Sequence, residues 1–353
     1  MTVTIIDGAR GEGGGQVLRT ALTLSMLTGQ EIELINIRAG RKKPGLLRQH
    51  LTSVLAARAI CNANIQGGEL GSGRIRFSPG AIKAGNYEFA IGSAGSTVLV
   101  CQTILPALAL AKGKSRVTLL GGTHNGMSPS LSFFQDSYLP VLAAMGVRCE
   151  ITTRSLGVYP AGGGHWQIDI NPVRQFAPVH LNQPGREYAN RIENCRATAL
   201  LSALPASIGQ REITRAQKVL GWQQAKSQLL RVQTPGPGNS FFLAVDAPSH
   251  SNVFEVVGEK GISSERVAER AAAKVDHFLR SGAAVEEHLA DQLLLLMALA
   301  GGGSYTTTRL SLHSETNIAV IRQLLATAIE VTQFSEHLWQ VTVSADKAEG
   351  EKN

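Results

Sequence analysis

The chain has only four cysteines, Cys61, Cys101, Cys149 and Cys195, and none belongs to a CxxC pair. This spacing argues against a disulfide framework and against a thiolate zinc site, and leaves four reduced thiols. Long apolar runs are also missing. Ile104–Ala111 is broken by Pro106, and Leu293–Ala300 stops after eight residues, well short of the roughly 20 that cross a bilayer. The start, MTVTIIDGARGEGGG, has no basic segment leading into an apolar one, so no secretory signal is expected. The expectation is a soluble, cytoplasmic protein without a membrane partner. Several reaction signatures are absent too. No HExxH or HxH supports a zinc enzyme. No GxSxG elbow supports a serine hydrolase. No KxDG supports a lysine-based nucleotidyl transferase, and GxxxxGK[ST] does not occur.

What is present is the composition of a folded chain: 353 residues, 43% apolar, 17% charged, and 37 glycines without a three-residue period. A chain of this length buries roughly three quarters of its unfolded surface, as one large domain or two ordinary ones. The net charge of +7 allows a polyanionic partner without requiring one.

One plan occurs three times, in GEGGGQVLRTALTLSMLTGQEIELINIRAGRKKPG, GSAGSTVLVCQTILPALALAKGKSRVTLLGGTHNG and EHLADQLLLLMALAGGGSYTTTRLSLHSETN. Each runs through an apolar helix, a glycine break (Gly29, Gly113, Gly301–Gly303) suited to a C-cap, a β-rich strand and a polar loop. Each helix carries a glutamine: Gln16, Gln102 and Gln292. Second helices are predicted over Pro44–Ile60, Ser130–Met145 and Thr316–Thr332, followed by hairpins. The fold class is therefore α+β (layered α/β), with repeated units of two helices on a four-stranded sheet. The region 186–277 interrupts the plan, with a predicted helix at Ile192–Ile208, strands FFLAVDA and VFEVVGEK, and a helix at Ser263–Leu279. It reads as a smaller inserted α/β domain, leaving 1–185 and 278–353 as the large repeated-unit domain.

Chemistry has three places to sit. In DGARGEGGGQVLRT, glycines lead into a helix whose free N–H groups suit an anion, and Glu12, Gln16 and Arg19 share one helical stripe if the helix starts early enough. The nucleotide fingerprint GxGxxG fails there at Gln16. In EHLADQL, His288, Asp291 and Gln292 share a helix face, which is equally the look of an exposed helix start. In RLSLHSETN, His313 falls where a strand gives way to a loop, and imidazole can be base, ligand or nucleophile. The equivalent loops supply Arg38, Arg41, Lys42, Lys43 and Arg48 in the first unit and Thr123, His124 and Asn125 in the second. Side by side, these loops would suit phosphate chemistry, without naming a reaction.

The strings DGARGEGGGQVLRTALTLS, IRAGRKKPGLLRQH, FAIGSAGS, YPAGGG, EHLADQL and LHSETN, in this order, resemble the RNA 3'-terminal phosphate cyclases, from about residue 4 to 325. The resemblance implies repeated subdomains of two helices on a four-stranded sheet with a small inserted domain. It implies a ligase that joins AMP from ATP to a histidine, passes AMP to an RNA 3'-phosphate, and closes a 2',3'-cyclic phosphodiester. His313 matches the nucleophile. Glu12, Gln16, Arg19, Gln102, Pro129, His288, Asp291 and Gln292 match the ATP pocket, with His288 standing where a tyrosine is expected. Charge on the ATP phosphates calls for a divalent cation, Mg2+ or Mn2+, with Glu12 as its ligand or, equally simply, as the cap of the glycine-rich turn. Arg38, Arg41, Lys42 and Lys43 are the expected cradle of the RNA end. The partner is RNA with a 3'-phosphate, and a homodimer is one assembly open to the chain. The alternative is a catalytically distinct cyclase-like protein of RNA processing or ribosome assembly. The resemblance implies that such relatives lack the histidine of LHSETN. The enolpyruvyl transferases share a repeated architecture but lack that motif and the insert.

Overall fold

Alternating burial along a strand marks a sheet with one covered face, and residues 115–121 and 164–170 show it directly: every second side chain is buried. A computed structural model describes residues 3–345. It contains four four-stranded sheets.

The first unit comprises β1 (Thr4–Asp7), α1 (Gly15–Thr28), β2 (Ile32–Ile35), α2 (Arg48–Cys61), β3 (Asn64–Gln66) and β4 (Ile75–Ser78), in sheet order β1-β2-β4-β3. The second comprises β5 (Asn86–Ala90), α3 (Thr97–Ala109), β6 (Ser115–Gly121), α4 (Leu131–Phe133), a π-turn at Phe134–Tyr138, α5 (Leu139–Ala144), β7 (Cys149–Ser155) and β8 (Gly164–Ile170), in order β5-β6-β8-β7. A short strand β9 (His180–Leu181) then opens the third unit.

The chain leaves for about a hundred residues, through α6 (Gly185–Ala189), β10 (Cys195–Ser202), α7 (Ala206–Leu220), β11 (Lys226–Val232), β12 (Gly238–Ala247), β13 (His250–Val257) and α8 (Ser264–Ser281). It returns as α9 (Glu287–Ala300), β14 (Gly302–Thr307), α10 (Leu312–Leu324), β15 (Thr327–Ser335) and β16 (Leu338–Ala345), completing the order β9-β14-β16-β15. The three units thus share one strand order, with the first pair parallel and the others antiparallel. The intervening sheet, β11-β10-β12-β13, has another order.

Two apolar clusters follow this division. One runs under the three units, gathers α1, α2, α3, α9 and α10, and takes in Leu200, Phe242, Ala244 and Val253 from one face of the intervening sheet. The other packs α7 and α8 on the intervening sheet around Trp222, Phe241, Phe254 and Phe278.

Several elements depart from the sequence expectation. The segment 195–202, expected as helix, is the central strand β10: its alanines and leucines are buried on both faces between β11 and β12. The helix expected over Thr316–Thr332 is shifted. It begins at Leu312 because the Ser311 hydroxyl accepts the Ser314 N–H and caps it. It ends at Leu324, and the β-branched run that follows forms β15. Gly29 and Gly301 are left-handed C-caps, whereas α3 closes at Leu110, before Gly113.

The intervening layer contains a buried acid. Glu212, fully buried on α7, accepts the Asn239 amide N–H at 2.5 Å, while its other oxygen and the Asn239 carbonyl oxygen have no partner. Burial raises the carboxyl from 4.5 to about 7. A proton on the second oxygen supplies the donor both orphans need. The folded state thus keeps a proton that the unfolded chain releases at lower pH, so stability falls as pH rises from about 4.5 to about 7. Glutamine reproduces the protonated pairing. Glu212→Gln is therefore expected to melt higher than the wild type at pH 8, by up to about 3 kcal/mol, with the gap closing towards pH 5. Thermal melts at the two pH values decide it, and a gap that stays constant with pH would refute it.

Candidate active site

The glycine-rich turn before α1 is built to let another element come close. Gly11 has φ +64°, and a Cβ there would lie 2.2 Å from Thr316 Oγ1. The Glu12 N–H donates to that hydroxyl at 2.9 Å, and Thr316 Oγ1 donates to Leu312 O at 2.6 Å. The turn is thereby pinned to the first turn of α10, which carries His313. Thr20 on α1 donates to Asn317 at 2.8 Å, and Asn317 donates to the Asp291 carbonyl at 3.1 Å. Together these contacts fix α1, α9 and α10 around one spot. His313 lies within the first helical turn rather than in the loop expected from sequence.

At that spot the polar groups form a chain. Gln16 Nε2 donates to Asp291 Oδ1 at 2.6 Å, and Gln16 Oε1 lies 2.9 Å from His313 Nδ1. An ionised carboxylate only accepts, so Asp291 orients the Gln16 amide with its carbonyl towards the imidazole. The carbonyl then requires a proton on Nδ1. The lone pair of neutral His313 is consequently on Nε2. Burial lowers the His313 pKa, opposed by Asp291 and assisted by Arg19, His288 and Arg41, which favours the neutral ring. Burial also raises the Asp291 pKa, opposed by the Gln16 hydrogen bond and by His313.

Cationic groups surround this chain. Arg19 is lowered to about 10 by burial, with Asp291 opposing the shift, and stays charged at neutral pH. A Cβ on Gly15 would fall 2.8 Å from Arg19 Nη1 and 2.5 Å from His50 Nε2, so both side chains crowd the α1 N-terminus. That terminus has no side-chain cap, which leaves its N–H groups open to an anion. His50 belongs to the string GLLRQH, but no sequence pattern marks it as a site residue. The structure puts it here, with Nδ1 accepting the Leu47 N–H at 3.3 Å. Burial, then Arg19 and Arg38, pushes its pKa down to about 3. It is a neutral Nε2–H donor.

The basic loop divides its labour. Arg38 is buried and donates to the carbonyls of Lys43 and Gly45 at 2.7 and 2.8 Å, bracing the loop from within. Arg41 pairs with the Glu12 carboxylate and donates to the Glu12 carbonyl. Lys42 and Lys43 are exposed.

On the other side, Gln102 is hydrogen-bonded to Gln292, whose Nε2 reaches the His288 carbonyl at 3.0 Å. The side chain of His288 is 63% exposed. It borders a cavity of about 400 Å3 that Phe254, Glu255, Lys274, Glu286 and Arg309 also line. Pro129 is half-buried on the loop before α4 and does not line this cavity, whose Glu255 has its pKa raised by burial. Of the eight nucleotide-pocket candidates, Glu12 and Pro129 lie on the loops before α1 and α4, Gln16 and Arg19 in the first turns of α1, His288, Asp291 and Gln292 in the first turns of α9, and Gln102 midway along α3. His124, in contrast, is buried between Thr123 and Ser132 and held near pKa 4 by burial, so it faces no open site.

Among the described residues no three His, Cys, Asp or Glu side chains are grouped to hold a metal. Such a donor set does not fit an all-protein cage. A carboxylate acting alone could share an ion only with phosphate oxygens, and the carboxylate beside His313 is that of Glu12, whose Oε2 lies 3.9 Å from Nδ1 and which pairs with Arg41.

Residues 10–331 match the family of RNA 3'-terminal phosphate cyclases. A protein of Ectopseudomonas mendocina named RNA 3'-terminal phosphate cyclase is 46% identical over 337 residues, covering 95% of this chain and 96% of that protein. One of Koribacter versatilis with the same name is 44% identical, covering 94% and 93%. One of Salmonella paratyphi C is 46% identical, covering 97% of both. With its matched motifs converging on one polar chain and a family match spanning nearly its whole length, the protein belongs to the RNA 3'-terminal phosphate cyclase family.

Proposed function

We propose that the protein converts an RNA 3'-terminal phosphate to a 2',3'-cyclic phosphodiester, with ATP as AMP donor and a covalent His313–AMP intermediate. The observation that carries the reading is the Asp291–Gln16–His313 chain, which leaves a lone pair on Nε2. Nε2 attacks the α-phosphorus, a P–N bond forms, and pyrophosphate leaves. An oxygen of the RNA 3'-phosphate then attacks the same phosphorus and frees the histidine. The 2'-hydroxyl attacks the activated 3'-phosphorus, loses its proton, and AMP departs.

The nucleoside is assigned to Gln102, Pro129, His288 and Gln292, of which His288 borders the cavity of about 400 Å3. Arg19, His50 and the open N–H groups of α1 hold phosphate oxygens, and Arg41, Lys42 and Lys43 receive the RNA end, on a loop braced by Arg38. A divalent ion, Mg2+ or Mn2+, would offset the charge of the phosphates, and Glu12 would be the residue to hold it.

Residues 186–277 form an inserted domain on the body 1–185 and 278–353, of which 1–2 and 346–353 lie outside the described residues. Their separate apolar cluster and different strand order support this. The setting is cytoplasmic. Among the described residues no helix is long and apolar enough to cross a membrane, and Cys61, Cys101 and Cys195 are buried thiols.

The test is incubation of an RNA 3'-phosphate with ATP and a divalent ion. The expected products are a phosphatase-resistant cyclic end and one AMP per end closed. Turnover without ATP, or an end that stays phosphatase-sensitive, rejects the reading.

A further inference from the structure

Large apolar side chains left in water need a reason, and two lie on loops of the second unit that meet at one bridge. Met127 is 93% exposed and Tyr159 65% exposed. Both flank one bridge, between His124 and Val158, and the Tyr159 N–H donates to the His124 carbonyl at 3.0 Å. His124 is itself fixed by Thr123 and Ser132, so the Tyr159 backbone is anchored while its ring faces solvent.

A continuous surface joins this pair to α2. The Asn125 amide reaches the Ala94 carbonyl at 3.4 Å, and a Cβ on Gly162 would fall 3.1 Å from the Ala94 Cα. Two residues back, a Cβ on Gly92 would fall 3.2 Å from Arg48 Nη1, and the Ser96 N–H donates to Gln49 at 2.6 Å. Arg48 and Gln49 are the first residues of α2, immediately before His50. The cation on this path is Arg48, with Arg41, Lys42 and Lys43 on the loop that leads into α2, and the carboxylate of Glu12 is already paired with Arg41.

A track that is cationic at one end and carries an aromatic ring at the other suits single-stranded nucleic acid, since every base has a face to stack and every linkage a charge. We propose that Tyr159 and Met127 form a stacking platform for the bases just upstream of the RNA 3' end, with Arg48 contacting the phosphates between platform and cradle. The inference rests on the RNA-end reading above. It adds a reason why a longer RNA should bind better than its terminal nucleotide alone.

The experiment compares two substrates at saturating ATP: a single nucleoside 3'-phosphate and an oligoribonucleotide 3'-phosphate of about six nucleotides. In the wild type the longer substrate has the lower KM. Tyr159→Ala is expected to raise the KM of the longer substrate about tenfold, with kcat at saturation retained and the KM of the single nucleotide unmoved. Tyr159→Phe restores the length advantage, because stacking needs the ring and not the hydroxyl. Wild-type turnover of both substrates combined with an undiminished length advantage in Tyr159→Ala overturns the platform alone. Equal loss on both substrates, or failure of phenylalanine to restore, also overturns it. Absence of wild-type turnover on the oligoribonucleotide overturns the RNA-end reading and the platform together.

Discussion

Replacing His313 by alanine is expected to abolish both the capture of AMP on the protein and the closure of RNA ends. The loss should reach about 10^4-fold or more, the scale seen when a group acting as nucleophile is removed. With α-labelled ATP and a divalent ion, the wild type should retain label through denaturing electrophoresis. The label should be released by acid and stable to base, as a P–N bond is. The variant should show none. The pH profile gives a second readout. Only the neutral ring has a lone pair, and burial lowers the His313 pKa from its ordinary 6.5. The rate of self-labelling should therefore climb on an acid limb whose midpoint lies below that value. A midpoint above it would contradict the geometry, and label persisting in His313→Ala would place the AMP on another residue.

The site was legible in the sequence to the extent that its residues sit in local motifs. The stripe needs only the helical period for Gln16 and Arg19, which α1 carries, whereas α1 starts too late to include Glu12, which lies in the turn before it. The threefold plan was legible because each unit repeats one order of apolar helix and β-rich strand, and the shared strand order is its physical expression. The contacts that make these residues a site were hidden. Gln16 and Asp291 are 275 positions apart, and Gln16 and His313 are 297 apart. No local pattern reports that one amide bridges them. His50 was hidden for a similar reason: its role comes from lying against Gly15 and Arg19, across the α1–α2 packing. The misread segment Cys195–Ser202 shows the opposite failure. Alanine and leucine favour helix locally, but pairing with strands on both sides wins where the segment is central and dry.

The strongest consequence of the bridging amide concerns Asp291, which need not touch the nucleotide to govern it. In Asp291→Asn the side-chain volume is kept, but an amide that both donates and accepts replaces a group that could only accept. The Gln16 –NH2 is then no longer obliged to face position 291. Gln16 is free to turn over and to present that –NH2 to His313 Nδ1 instead. In the turned arrangement Nδ1 must accept, so the proton moves to Nε2 and the lone pair no longer points at the α-phosphorus. A catalytic imidazole held in the wrong tautomer by such an exchange costs about 10^3- to 10^4-fold in kcat while the fold persists. Loss of the negative charge also removes what opposes burial at Arg19 and what raises the His313 pKa. The acid limb of the residual activity should accordingly shift to lower pH than in the wild type. The expected outcome is a fall in kcat for self-labelling of about 10^3-fold, with thermal midpoint and KM for ATP little changed. A variant that labels itself within about tenfold of the wild-type rate would show that the tautomer is set by something other than the Asp291–Gln16 pair, and Glu12, 3.9 Å from the same Nδ1, would then be the group that sets it.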